Sequence, residues 1–72
     1  MTGGLWLPER ATIRWEDRRQ MWLPVVERRL YEATDTLERF VTHPDGTPTK
    51  GAALHLARQA FAKEQKLWQG AR

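Results

Sequence analysis

The chain has 72 residues, 40% of them hydrophobic, no cysteine, and 12 Lys and Arg against 9 Asp and Glu for a formal net charge of +3. That length allows one small domain, and the missing cysteine excludes a disulfide framework and any thiolate zinc site. Wholesale disorder is excluded by the hydrophobic share, and no apolar run approaches the ~20 residues of a membrane-spanning helix. Met1-Thr2-Gly3-Gly4 shows neither a basic opening nor a following apolar stretch, so a cytoplasmic location with no membrane partner is expected.

Charge is unevenly spread: residues 1–29 carry +2, residues 30–49 carry −3 and residues 50–72 carry +4. Steering toward a polyanion would therefore come from the two ends of the chain. The sequence pI near 10.0 overstates how basic any single surface is, because acids interleave with the bases.

Residues 1–10 are expected to form an N-terminal arm containing the apolar Leu5-Trp6-Leu7-Pro8. Residues 11–23 admit two forms. Ala11-Thr12-Ile13-Arg14-Trp15 alternates as a strand does, and Gln20-Met21-Trp22-Leu23 can return beside it. Pro8-Glu9-Arg10-Ala11 also opens a helix well, so a β-hairpin, an extended arm or a short helix can stand here. Trp6-Leu7-Pro8 recurs as Trp22-Leu23-Pro24, but two copies do not make a repeat architecture.

Val26, Leu30, Ala33, Leu37, Phe40 and Val41 follow a helical stripe, which predicts a helix over residues 24–42. Pro24 suits a first helical position, and the His43-Pro44 pair should end the helix. Pro44-Asp45-Gly46 is a turn signal, with proline presetting φ and glycine accepting a positive one. Thr47 is the expected cap of a second helix over 48–69, with Pro48 at its first position. Ala53, Leu56, Ala57, Ala60, Phe61, Leu67 and Trp68 share its apolar face; His55, Arg58, Gln59, Lys63, Lys66 and Gln69 share the other. The fold class that follows is an α-rich single domain. An antiparallel helical hairpin forms its centre, flanked by the N-terminal β-hairpin or arm.

A competing α+β arrangement turns Trp22–Val26 and Leu37–Thr42 into strands, because they are rich in β-branched and aromatic residues. Three strands then precede the C-terminal helix, and Pro24 is the discriminator, since proline disrupts a central strand. In that arrangement Gly46, Thr49-Lys50 and Ala53 resemble the start of the helix in the arm-binding domains of phage integrases. The resemblance spans about eight residues and implies the strand-to-helix order alone. Thr47 stands where that family carries an aromatic, and no functional residue is transferred from it.

Serine and cysteine are both absent, and no base-and-orienter arrangement or Gly-rich phosphate loop is present. His43 and His55 lack metal-ligand spacing and are expected at the surface. A non-enzymatic protein without cofactor or metal is therefore expected. Glu64 falls on the apolar face of the last helix, where a carboxylate needs a partner or solvent. Solvent past the helix end is the expected environment, because buried acids are rare, and Arg29 at the edge of the preceding apolar stripe is the candidate partner if the carboxylate is covered.

Four tryptophans are a heavy load for this volume, and Trp and Arg are the residues enriched at protein hot spots. Trp6, Trp15, Arg18, Arg19 and Trp22 are accordingly the expected contacts of a small regulator or inhibitor that docks on a larger protein. The alternative is direct DNA or RNA binding through Arg14, Arg18, Arg19, Arg58, Lys63 and Lys66. A self-associating structural subunit, a homo-oligomer, is the third reading.

Overall fold

The described residues form four elements: β1 (Trp6–Glu16), β2 (Met21–Leu30), β3 (Leu37–Val41) and α1 (Lys50–Ala71). The computed structural model describes residues 6–30 and 35–71, with side chains as far as residue 68. The strands form one antiparallel sheet in the order β1-β2-β3, and α1 packs across β1 and β2. The architecture is α+β. Residues 1–5 of the expected arm and residues 31–34 of the expected first helix lie outside the described residues.

The helical hairpin is overturned. The described residues of 24–42 form no helix: residues 24–30 supply most of β2 and residues 37–41 all of β3. The physical reason lies in the central strand, where Leu23, Pro24, Val25, Val26 and Glu27 are buried in unbroken succession. A surface helix buries every third or fourth residue, whereas a central strand with α1 on one face and the side chains of both neighbouring strands closing over it on the other buries all of them. Paired valines also suit a pleated surface better than a helix, since branching at Cβ restricts χ1 against the preceding turn.

Pro24 sits inside the central strand without breaking it. Residues Trp22, Pro24 and Leu30 direct their backbone groups toward the β3 side: Trp22 exchanges bonds with Thr47, Leu30 N–H donates to Thr36, and Pro24 C=O accepts from Thr42 N–H at 2.9 Å. The missing N–H of Pro24 therefore faces the β3 side just beyond Val25↔Val41, the last pair between β2 and β3. No β1 ladder bond is lost, because Pro24 stands opposite Ile13 at a position where β2 bonds outward from β1.

The β1–β2 hairpin turns through Asp17–Gln20, with Gln20 at φ 57° and its side-chain amide donating to Asp17 C=O at 2.8 Å. The second turn follows its sequence signal. Gly46 has φ 75° and its N–H donates to His43 C=O at 3.0 Å. Thr47 is not the helix cap. It is buried and bridges to Trp22, while Thr49 Oγ1 accepts from Ala52 N–H at 3.2 Å and α1 begins at Lys50.

Ala53 and Ala57 are fully buried beneath the helix, so small side chains set how closely α1 approaches the sheet. Leu67, expected on the buried face, is 67% exposed. Glu64 does find a partner, but it is Arg28 and not Arg29. Arg28 Nε donates to Glu64 Oε1 at 2.7 Å, while Arg29 pairs with Glu9. No described helix is long and apolar enough to cross a membrane.

Candidate nucleic-acid interface

Strand alternation sorts the sheet into two faces. Trp22 and Arg28 touch Lys50 and Glu64 of α1, so the even-numbered residues of β2 face the helix. Leu23, Val25, Glu27 and Arg29 then face away from it. Cross-strand pairing adds Thr12 and Val41 beside Val25, Arg14 beside Leu23, and Arg10 and Arg39 on either side of Glu27. A bulge at Glu9, where the register shifts between Pro8 and Arg10, puts Glu9 on this face as well, bonded to Arg29.

The row Arg10, Glu27, Arg39 is the most ordered polar feature of this open face. Arg10 Nε and Nη2 donate to Glu27 Oε1 and Oε2, each at 3.1 Å. Arg39 Nε donates to the same Oε2 at 3.0 Å. The Glu27 side chain is 6% exposed, against 65% for Arg10 and 63% for Arg39. A buried carboxylate is costly unless paired, and three charge-assisted bonds meet that requirement here. Two cations share one anion, so the row presents a net positive charge outward.

Arg29 and Glu9 form the second pair on this face, with bonds of 2.9 and 3.1 Å. The Arg29 hydrogen bonds hold the Glu9 carboxyl below its ordinary range, and the same bonds raise the Arg29 guanidinium. On the helix side, the hydrogen bonds to Glu64 likewise raise Arg28.

Of the expected docking residues, two are drawn into the fold. Trp6 stands edge-on to Phe40 with ring centroids 5.3 Å apart, and Trp22 lies 5.0 Å from Trp15 with Lys50 over its ring. Trp15 remains 41% exposed. Arg18 and Arg19 lie in the exposed turn at the hairpin tip, where Arg19 bonds Glu16 and the Pro44 carbonyl. The expected nucleic-acid residues divide. Arg14 is exposed on the open face, whereas Arg58, Lys63 and Lys66 are exposed on α1, on the other side of the sheet. One duplex cannot lie against both sets.

Arg10 and Arg39 are not singled out by the sequence, and Arg29 enters there only as a candidate partner of Glu64. The available signal was the Arg10-Thr12-Arg14 alternation, which puts two cations on one strand face. His43 and His55 are both exposed. Among the described residues there is no cluster of three or more potential metal ligands.

The geometry defines a small α+β domain with a helix-backed sheet and an arginine-bearing open face. No protein-family profile, curated protein or solved structure matches the chain.

Proposed function

We propose that this protein binds double-stranded DNA with the sheet face turned away from α1. The observation that carries this reading is the pair Arg10 and Arg39, ordered on a buried Glu27 yet about two-thirds exposed. Both guanidiniums satisfy Glu27 and still present free N–H donors to solvent on the open face. Arg14 adds a cation two rows along β1, beyond the Thr12, Val25 and Val41 row, and Arg18 stands at the adjoining hairpin tip. Three strands span about 10 Å between outer backbones, which fits a major groove about 12 Å wide. Sheets are established readers of that groove, and α1 here stiffens the sheet from behind.

The test is an anisotropy titration of a labelled duplex at several salt concentrations. Each phosphate engaged adds a slope of roughly −0.9 to log affinity against log salt, so Arg14 and Arg18 alone predict roughly −2. Absence of binding at low salt, or binding indifferent to salt, overturns the reading.

Docking on a larger protein is the second reading, and the exposure of Trp15 favours it. A half-exposed indole beside arginines is the composition of a protein hot spot. Affinity capture with and without nuclease separates the two. A partner that survives nuclease and is lost with Trp15→Ala supports docking, while capture that disappears with nuclease supports DNA.

A further inference from the structure

We infer that Arg10 and Arg39 read guanines in the major groove and that Glu27 is the positioning residue that aims them. This rests on the DNA-binding reading above and adds its sequence preference.

The inference follows from which donors Glu27 consumes. Arg10 commits Nε and one hydrogen of Nη2 to the two carboxylate oxygens, and Arg39 commits Nε to Oε2. Of its five N–H donors Arg10 keeps three and Arg39 keeps four, and on each the free donors include the end-on fork of one Nη1 hydrogen and the outer Nη2 hydrogen. That fork has two donors and no acceptor. Guanine offers two acceptors, O6 and N7, on its major-groove edge, and bidentate arginine is its commonest specific partner. Adenine sets an N6 donor beside N7, cytosine presents an N4 donor, and thymine offers O4 alone, so each leaves part of the fork unmatched.

Although the row keeps a net positive charge, Glu27 makes each of these two arginines a weaker phosphate ligand than an arginine with no carboxylate beside it. A carboxylate held at about 3 Å opposes the approach of an anion to the same guanidinium. Arg14 and Arg18 have no carboxylate partner among the described residues, so the backbone role falls to them. The open face thus separates into arginines that hold the duplex and arginines that discriminate its bases, which are different tasks. Register fixes the discriminating pair: Arg10 and Arg39 flank Glu27 in one row across the three strands, and both converge on Oε2. Glu27 is anchored by the central strand, so neither fork swings freely.

The experiment uses the full chain and a pool of B-form duplexes with a randomised core. Wild-type protein should enrich cores with two guanines at a fixed separation. Replacing either guanine with 7-deazaguanine, which removes only the N7 acceptor, should weaken binding about tenfold or more, and adenine at least as much. Arg10→Lys and Arg39→Lys should each abolish the preference at one guanine and keep the salt slope. Glu27→Gln should lower the guanine-over-adenine ratio at both positions while affinity for a guanine-free duplex is kept or rises, an outcome that a purely structural role would not produce. If Glu27→Gln fails to fold, the two lysine variants, altered only at exposed heads, carry the test. Salt-dependent binding without guanine enrichment overturns this inference and leaves the DNA reading standing. So does a guanine preference that survives both lysine variants. Equal binding of duplex RNA, whose major groove is too narrow for a sheet, overturns the groove assignment. Failure to bind any duplex at low salt overturns both.

Discussion

Glu64, on the third turn from the end of α1, is held by both Nε and Nη2 of Arg28 on the central strand. Each side chain is less than a quarter exposed, and the Arg28 guanidinium also lies 4.3 Å from the Phe40 ring centre. One side chain of β2 therefore ties the helix to the sheet and reaches toward Phe40 of β3. Glu64→Leu removes the counter-ion and leaves a half-buried cation. It should destabilise the fold by about 1–3 kcal/mol, as loss of hydrogen bonds to charged groups does. Thermal melting should show Tm lower by about 4–8 °C for each kcal/mol. An unchanged or raised Tm would show that the pair contributes nothing.

Ala57 has no exposed surface where α1 crosses the sheet. A larger side chain there must push the helix off β1 and β2 or adopt a strained rotamer. Ala57→Leu should cost about 1–3 kcal/mol even though it adds apolar bulk. Denaturant titration is the appropriate measurement. A shifted midpoint with constant slope would identify overpacking, and stabilisation would reveal unfilled space under the helix.

Gly46 combines φ 75° with close neighbours on three sides. A Cβ there would lie 3.0 Å from Met21 Cβ, 3.1 Å from Leu23 Cδ2 and 3.2 Å from Trp22 C=O. The carbonyl cannot move without disturbing its bond to Thr47. Gly46→Ala should therefore cost about 1–2 kcal/mol from left-handed backbone strain, and crowding adds to it. Amide exchange at Thr47 should accelerate in the variant more than exchange in the middle of β1.

α1 and the turn before it were legible because their signals are local: a period near 3.6 sustained over some twenty residues, and Pro44-Asp45-Gly46 in succession. β2 and β3 were legible only as the competing arrangement: β-branched and aromatic residues at 22–26 and 37–42 suit strands, but Val26, Leu30, Leu37 and Phe40 also satisfy a helical spacing, and packing against β1 on one side of β2 and β3 on the other decides between them. Pro24 misled for the same reason. Its cost depends on which neighbour its missing N–H would face, and that depends on where β3 ends. The Arg10, Glu27, Arg39 row joins residues 17 and 12 positions apart, so sequence spacing carried no trace of it. Glu64 was legible as a carboxylate needing a partner or solvent, but Arg28 and Arg29 are adjacent, and only strand alternation decides which faces the helix.

Glu9 titrates with a definite sign. Its hydrogen bonds from Arg29 lower its pKa from an ordinary value of 4.5. A carboxyl depressed on folding adds stability that is complete above its unfolded pKa and is lost as pH falls through its folded one. Wild type should thus exceed Glu9→Gln in Tm at neutral pH, with the gap closing below pH 4.5. Both groups of the pair lie at the surface, so added salt should also narrow the gap. A gap that widens in acid would mean that Glu9 is not the group responsible.

The two basic sets on opposite sides of the sheet give the sharpest functional contrast. Arg14 lies on the open face, while Lys63 and Lys66 project from α1. If the open face holds DNA, Arg14→Gln removes one phosphate contact and should make the salt slope shallower by roughly 0.9. Lys63→Gln with Lys66→Gln lowers the net charge by twice as much, yet it should leave the slope unchanged because those ammonium groups never approach the duplex. Attraction governed by net charge alone predicts the reverse order, with the double lysine variant the weaker binder. Circular dichroism on both variants controls for folding, and all three side chains are exposed, so the fold should be retained. A larger loss for the lysine pair than for Arg14 would move the interface to the outer face of α1 and remove the sheet from the binding reaction.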